Sequence, residues 1–334
     1  MKAAILEQIG APLVVDDIGL PELGVGQALI RVYVSGICGA QVGEIAGARG
    51  PDKHLPHLLG HEGGGIVEDV GVGVQYVKRG DRVVIHWRKG KGIESQCPKY
   101  AWRDRTVGGG RNTTFQEYSI ISENRLTVIL EDTSFDIAAL MGCAITTAFG
   151  LINNEAQLKI GQSIAVIGCG GVGLNVIQGA ALAGAYRIMA VDVHPQKLIM
   201  AMGFGADEFT NPDGMENMRG FDVVVDTTGL PEMISKAYKI VAPDGKIIMV
   251  GQMRGDEALV IPNMRQNFRG VTLMDSCGGR TNPNEDIPRY LALYESGRLK
   301  LDELITHRFP LEQVNEALDV VRSGQAGRVI LEMK

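Results

Sequence analysis

Apolar and polar positions alternate in short runs at residues 1–6, 27–35, 63–70 and 81–85, each bounded by glycine-marked turns. A period of two turns one face of a strand inward, and short strands at this spacing predict an antiparallel, barrel-like domain. The periodicity disappears over 86–114, where Gly90, Gly92, Pro98 and Gly108-Gly109-Gly110 are interspersed with charges. That stretch reads as a long loop or lobe. A strand-like pattern resumes at 115–121, and residues 136–151 have helical spacing, with Ile137, Leu140, Ile145, Ala148 and Phe149 on one stripe.

The texture changes after Gly161. An apolar strand at 163–167 leads through a glycine turn into a small-residue helix at 172–183. Strands at 188–191, 221–226, 246–250 and 271–274 then alternate with helices at 195–203 and 231–240. This alternation predicts a mostly parallel sheet covered on both faces. Near Asn282 the chain leaves that unit; helices at 286–296 and 311–322 and a strand at 328–331 are placed to complete the first domain.

Composition narrows the function. The 44 glycines in 334 residues lack a three-residue period, which excludes collagen and favours tight turns and close backbone approaches. A net charge of −6 with no long basic run argues against a nucleic-acid partner. The opening residues lack a signal-peptide core, and the apolar stretch 160–193 is broken by glycines, Gln178 and Arg187, so a cytoplasmic protein without a membrane span is expected. The cysteines Cys38, Cys97, Cys143, Cys169 and Cys277 are odd in number and widely spaced, which favours a metal role over a disulfide framework.

Ile164-Ala-Val-Ile-Gly168-Cys169-Gly170-Gly171-Val172-Gly173 places a dinucleotide fingerprint after a strand and at the start of a helix. Gly168 permits the turn, Gly170 the approach of a pyrophosphate and Gly173 close helix–strand packing, while the amides at Gly171 and Val172 favour the diphosphate. The next strand ends at Asp192, placed to accept from ribose hydroxyls and to repel a 2′-phosphate, so NAD is favoured over NADP. Lys197 is a second ribose candidate, with a solvated helix lysine a nearly equal account.

Upstream stand Cys38, Gly60-His61-Glu62 and Cys143. Two cysteines and a histidine suit a catalytic zinc that keeps its fourth position open. Taken singly, each cysteine is more often a small buried side chain than a ligand, and His61 is equally a hydrogen-bonded core histidine, since separation along the chain does not establish proximity.

The segments Gly36-Ile37-Cys38-Gly39, Gly60-His61-Glu62-Gly63-Gly64-Gly65, Gly80-Asp81-Arg82-Val83-Val84, Met141-Gly142-Cys143 and the dinucleotide turn together resemble the zinc-dependent medium-chain dehydrogenase/reductase superfamily, the alcohol-dehydrogenase-like proteins. The resemblance spans essentially the whole chain. It implies an α/β two-domain fold: a GroES-like β-barrel at 1–147, a Rossmann domain with a doubly wound parallel sheet at 148–283, and a return segment at 284–334. It further implies one catalytic zinc per subunit on Cys38, His61 and Cys143, with Glu62 beside it. Arg328 is implied at the cofactor diphosphate, and Val250 near the nicotinamide of NAD(H). Hydride transfer to or from an alcohol or carbonyl in a cleft between the domains, by a homodimer or homotetramer, is the activity to expect.

Two departures qualify the resemblance. Ala40, Gln41 and Gly43 stand where relatives carry Thr or Ser, Asp and His, so the usual proton relay is absent at positions 40 and 43 and His57 is one substitute. Only Cys97 remains in the lobe where relatives hold a four-cysteine structural zinc. The lobe is then expected to rest on Trp87, Tyr100 and Trp102, with His86 and Trp87 as pocket candidates. His86, Trp87, Arg88, Lys89 and the glycine-rich segment give the lobe a polar, cationic character that favours a hydroxylated or acidic molecule over a plain aliphatic alcohol, such as a polyol, cyclitol or other polar secondary alcohol; a solvated surface loop is the equal alternative. A zinc-independent quinone or enone reductase and a non-catalytic NAD-binding protein are the competing readings.

Overall fold

The computed structural model describes residues 1–48, 50–255, 257–261 and 269–334. These divide into two compact units, Met1–Cys143 with Asn282–Lys334, and Ala144–Thr281.

The first unit opens with β1 (Lys2–Leu6), β2 (Val14–Asp17) and β3 (Gln27–Ile37), then helix α1 (Gly39–Ile45). It continues through β4 (His57–Leu58), β5 (Gly63–Val70), β6 (Arg82–Ile85), β7 (Lys99–Trp102), β8 (Arg105–Gly108), β9 (Tyr118–Ser122), β10 (Leu126–Val128) and helix α2 (Phe135–Met141). Long β3 is central: it pairs antiparallel with β5 and with β9, and one edge of its sheet runs out through β6 to β10. A second sheet has the order β2-β1-β4-β8-β7. Alternating inward side chains fill the space between, with Leu6, Ile30, Val32, Val67, Ile85 and Phe115 fully buried.

The second unit begins with α3 (Ala144–Gly150) and a π-helical turn at Leu151–Ala156. Then follow β11 (Ser163–Ile167), α4 (Gly171–Leu182), β12 (Arg187–Val191), α5 (Pro195–Gly203), β13 (Glu208–Thr210), β14 (Phe221–Asp226), α6 (Pro231–Ile240), β15 (Val241–Met249) and β16 (Thr272–Asp275). Each described neighbouring pair is parallel, in the order β13-β12-β11-β14-β15-β16, which is the doubly wound Rossmann-like arrangement. β11, at the centre, is buried at every position.

The chain then re-enters the first unit with α7 (Pro283–Glu295), β17 (Ile305–Pro310), α8 (Val314–Arg322) and β18 (Arg328–Glu332). Pairing of β18 with β3 stitches the return segment into the barrel, and Asn315 exchanges hydrogen bonds of 2.8 and 2.9 Å with the backbone of Leu13. Residues 306–310, unmarked in the sequence reading, form an outer strand beside β18.

Two expectations require correction. The lobe is not wholly irregular: Lys99–Trp102 and Arg105–Gly108 form a hairpin whose Tyr100 and Trp102 are buried against Ile5, Leu58 and Ile120. Tyr100 hydroxyl accepts from the Ile120 amide at 2.9 Å, and the Trp102 indole donates to Asp16 at 2.9 Å. The helical stretch 136–151 is likewise not continuous but breaks after Met141. The Gly142 carbonyl accepts from the Trp87 amide at 3.4 Å, which diverts it from the helical ladder.

Candidate metal and cofactor sites

Strand register assembles the first site. On β3, Ser35 faces Gly63 of β5 and Ile37 faces Val329 of β18. Cys38, just past β3, is thereby brought level with His61 and Glu62, just before β5, and with Arg328 at the start of β18. The Gly36 amide and the Ser35 hydroxyl both donate to the Glu62 carbonyl at 3.0 Å and lock this meeting point. Cys143 arrives on the segment after α2. That helix is capped by the Ser134 hydroxyl, which accepts from the Ile137 amide at 3.3 Å, and is clamped where Arg82 lies 3.9 Å from the Phe135 ring centre. Gly142 reaches the sheet only because it lacks a side chain: a Cβ there would lie 2.7 Å from Glu62 Cα and also strike the Ile85 carbonyl.

The ligand atoms of Cys38, His61 and Cys143 all lie within 4.8 Å of one another. A tetrahedral zinc with Zn–S bonds of about 2.3 Å holds its donors roughly 3.5–4 Å apart, so a small contraction closes the set on the ion. His61 Nε2 is buried and has no hydrogen-bond partner, while Nδ1 meets the Gln41 amide. The nitrogen left for a metal is therefore identified, and the other is oriented by the protein. In the bare site the hydrogen bond from Cys143 holds the Cys38 thiol well below its ordinary range, against the opposing effect of burial and with help from His61. The same bond, with burial, pushes Cys143 well above. A dication would replace the proton of that bond with a stronger charge and leave both sulfurs as thiolates. The donor chemistry fits zinc.

Behind the ligands, Glu62 and Arg328 form an ion pair with both side chains at least 95% buried, 0% and 5% exposed. Burial pushes the Glu62 carboxyl up, and the Arg328 guanidinium opposes it. Burial likewise works against the charge on Arg328, but the Glu62 carboxylate and the two thiols outweigh it and hold the guanidinium above its ordinary value. Glu62 Oε2 has no hydrogen-bond partner.

Of the other expected residues, His86 is buried with both ring nitrogens engaged. Its ring is 1% exposed, with Nδ1 2.7 Å from the Arg88 carbonyl and Nε2 3.0 Å from the Thr127 hydroxyl. Burial pushes its pKa down to about 4, so it is a neutral bracing group. Trp87 is half-buried, and its indole N–H is enclosed without a hydrogen-bond partner. Both nitrogens of His57 are engaged, by Leu58 carbonyl at 3.0 Å and Asp52 at 2.9 Å.

The second unit carries the dinucleotide turn. Gly168 has φ +91°, in the left-handed region, and a Cβ on Gly173 would strike the Gly168 carbonyl. Gly171 and Val172 begin α4. Asp192, just past β12, accepts from the Cys169 amide at 2.7 Å and from the His194 amide at 2.9 Å, which anchors its carboxylate against the turn. A cavity of about 560 Å³ opens there, lined by Gly168, Asp192, Asn211, Thr228 and Lys236 among others. Lys197 is buried nearby on α5, and the Val250 amide donates to the Asp226 carbonyl at 2.7 Å.

Sequence reading missed several residues here. Gln41 was noted only as a departure, although Cys38-x-x-Gln41 has capping-box spacing, and the Cys38 amide does donate to Gln41 Oε1 at 3.0 Å. Asn112, which donates to the His61 carbonyl at 3.3 Å, and the cavity residues Asn211, Thr228 and Lys236 carried no local signal.

Comparison with known proteins agrees with this construction. Residues 24–131 match the alcohol dehydrogenase GroES-like domain, and residues 171–296 match zinc-binding dehydrogenase. Alcohol dehydrogenase 6 of Peromyscus maniculatus is 33% identical, covering 99% of this chain and 97% of its own. S-(hydroxymethyl)glutathione dehydrogenase of Paracoccus denitrificans is 29% identical, with 99% of each covered. Among solved structures, an alcohol dehydrogenase zinc-binding domain protein from Burkholderia ambifaria has a TM-score of 0.88 at 26% identity, covering 100% of this chain and 98% of its own. Alcohol dehydrogenase TADH from Thermus sp. ATN1 has a TM-score of 0.82 at 27% identity, with 100% of each covered.

The chain belongs to the zinc-dependent medium-chain dehydrogenase/reductase superfamily, among its alcohol-dehydrogenase-like members. It is a zinc- and NAD(H)-dependent oxidoreductase acting on alcohol or carbonyl substrates, with a two-cysteine, one-histidine site and, among the described residues, no four-cysteine structural cluster.

Proposed function

We propose that the protein oxidises a polar alcohol, such as a polyol, cyclitol or other polar secondary alcohol, with NAD+, and reduces the matching carbonyl with NADH. The observation that carries this reading is the convergence of Cys38, His61 and Cys143 with His61 Nε2 left unpartnered. When bound, zinc supplies Lewis acidity at the substrate oxygen and NAD+ accepts the hydride. Overall, alcohol and NAD+ give carbonyl, NADH and one proton.

The chain's own residues set the conditions for that exchange. The two thiolates match the charge of a dication, and Gln41 fixes the plane of the His61 ring. Glu62, buried beside the ligands with one oxygen unpartnered, is the acid placed to assist ligand exchange, and Arg328 holds it in place. The turn at Gly168, Gly170, Gly171, Val172 and Gly173 offers backbone amides to the diphosphate, and Asp192 offers its remaining acceptor capacity to the ribose. Ala40 and Gly43 supply no hydroxyl and no imidazole, so the substrate proton leaves by a route that bypasses both positions. A homodimer or homotetramer is supported by β16, the outer strand of its sheet among the described residues.

The test is metal content of the purified protein by mass spectrometry, beside Cys143→Ala. One zinc per chain, lost in the variant together with NAD+-dependent alcohol oxidation, is the expected result. No zinc in either protein after zinc-supplemented refolding would sink the reading.

A further inference from the structure

A short run of hydrogen bonds leads from the lobe to one metal donor, and Arg125 stands at its head. The Arg125 side chain is only 12% exposed, and its two terminal nitrogens serve different partners. Nη1 donates to the Trp87 carbonyl at 2.7 Å, and Nη2 donates to Glu94 Oε1 at 3.2 Å. The Arg125 carbonyl in turn accepts from the His86 amide at 3.0 Å. One residue therefore grips His86-Trp87 at both ends, by the His86 N–H and by the Trp87 carbonyl. Between these two contacts lies the Trp87 N–H, which donates to the Gly142 carbonyl at 3.4 Å. Cys143 is the next residue.

The other two donors have anchors of their own. Cys38 and His61 are set by the register of β3 against β5 and by Gln41. Cys143 stands on the turn after α2, where the Gly142 amide still bonds the Ala139 carbonyl at 3.1 Å and the Gly142 carbonyl meets Trp87. The direction in which that turn presents its sulfur follows the Trp87 peptide. Glu94 gives the guanidinium its second fixed point, and the same carboxylate meets Lys89 at 3.0 Å and Arg111 at 3.1 Å. Those two cations are exposed, and exposed pairs contribute little. The bond from Arg125 to the Trp87 carbonyl differs from them: its donor is charged and largely shielded from water, which strengthens it.

We propose that Arg125 is a positioning residue for the metal donor Cys143: its guanidinium, bridging Glu94 and the Trp87 carbonyl, sets the peptide that holds Gly142 and so aims the Cys143 sulfur at the ion. The proposal rests on the zinc-dehydrogenase reading above and adds a residue to the same site. A planar fork spans both acceptors at once, whereas the single nitrogen of a lysine serves one of them at a time.

The test uses Co2+ in place of zinc as a spectroscopic probe. Wild type, Arg125→Met, Arg125→Lys and Asn315→Ala are loaded with Co2+, and the visible ligand-field bands and the thiolate-to-cobalt band report how the sulfurs sit on the ion. Arg125→Met should shift these bands, weaken zinc by about 10- to 100-fold in chelator competition, and lower kcat by about tenfold with KM for NAD+ unchanged. Arg125→Lys, which keeps the charge and one contact, should fall between that variant and wild type. Asn315→Ala removes two hydrogen bonds to Leu13 elsewhere in the first unit, so it should lower Tm and leave the bands in place.

Unshifted bands with undiminished zinc affinity in Arg125→Met would overturn the proposal and leave the dehydrogenase reading standing. So would an equal band shift in Asn315→Ala, since the site would then respond to any loss of stability. If Arg125→Met does not fold, Arg125→Lys decides: wild-type bands and affinity in that variant overturn the proposal. Failure of wild type to take up either metal overturns both the proposal and the dehydrogenase reading.

Discussion

Gln41 shows how one side chain decides whether a set of donors can hold an ion. A metal on His61 Nε2 requires the ring proton on Nδ1, and that N–H then needs an acceptor. In the bare site the Gln41 amide nitrogen meets Nδ1 and its oxygen accepts from the Cys38 amide, so one side chain touches both ligand segments. Gln41→Met removes both contacts and should weaken zinc binding by about 10- to 100-fold in competition with a chromogenic chelator, whereas Gln41→Glu, whose carboxylate can accept from the Nδ1–H and from the Cys38 amide, should hold the ion. Equal retention by the methionine variant would show that the ring is oriented by packing alone. His86 supplies a second residue-scale prediction. Its folded pKa of about 4 lies below the ordinary 6.5, so the unfolded chain takes up the proton first. The stability it contributes is complete above about pH 6.5 and falls away toward pH 4, by about 3 kcal/mol at most. Both tryptophans, Trp87 and Trp102, belong to the first unit, so urea titrations followed by their fluorescence isolate this effect. His86→Leu should flatten the pH dependence between 6.5 and 4.

At the scale of elements, the break after Met141 decides where Cys143 stands. Periodicity saw one helix because the apolar stripe of α2 carries on into α3 without interruption. The interruption comes from outside the segment: Trp87 captures the Gly142 carbonyl, and Gly142 packs where a Cβ would strike Glu62 and Ile85. Gly142→Ala is therefore expected to destabilise the first unit by about 1–3 kcal/mol and to lower zinc occupancy, read by thermal unfolding and metal analysis together. Normal stability with full zinc would mean that the segment shifts without cost. The lobe hairpin teaches the complementary lesson. Lys99-Tyr100-Ala101-Trp102 alternates exposed and buried positions, a strand signal present in the residues but masked by the glycines and charges around it.

Across the whole molecule, the two cofactors draw on different stretches of chain. The metal donors belong to Met1–Cys143, and the dinucleotide turn with Asp192 belongs to Ala144–Thr281. Asp192→Ala should raise KM for NAD+ by more than about tenfold and narrow the preference for NAD+ over NADP+, while zinc content stays at one per chain. Loss of zinc in that variant would show that the two sites are coupled through folding. What the sequence determined by itself is whatever local periodicity and residue chemistry encode: the parallel α/β unit, the Gly168–Gly173 turn with Asp192 after the next strand, and the donor types at 38, 61 and 143. These are legible because strand alternation, helix spacing and glycine turns act over a few residues. Tertiary structure alone decided that those donors meet, that Gln41 orients His61, that Arg328 pairs with Glu62 and that His86 is sealed in the barrel. The meeting of Cys38, His61, Glu62 and Arg328 depends on the register of β3 against β5 and β18, and the sealing of His86 on the pairing of β6 with β10; pairing between strands distant in the chain is set by the packing of the whole unit rather than by any local pattern.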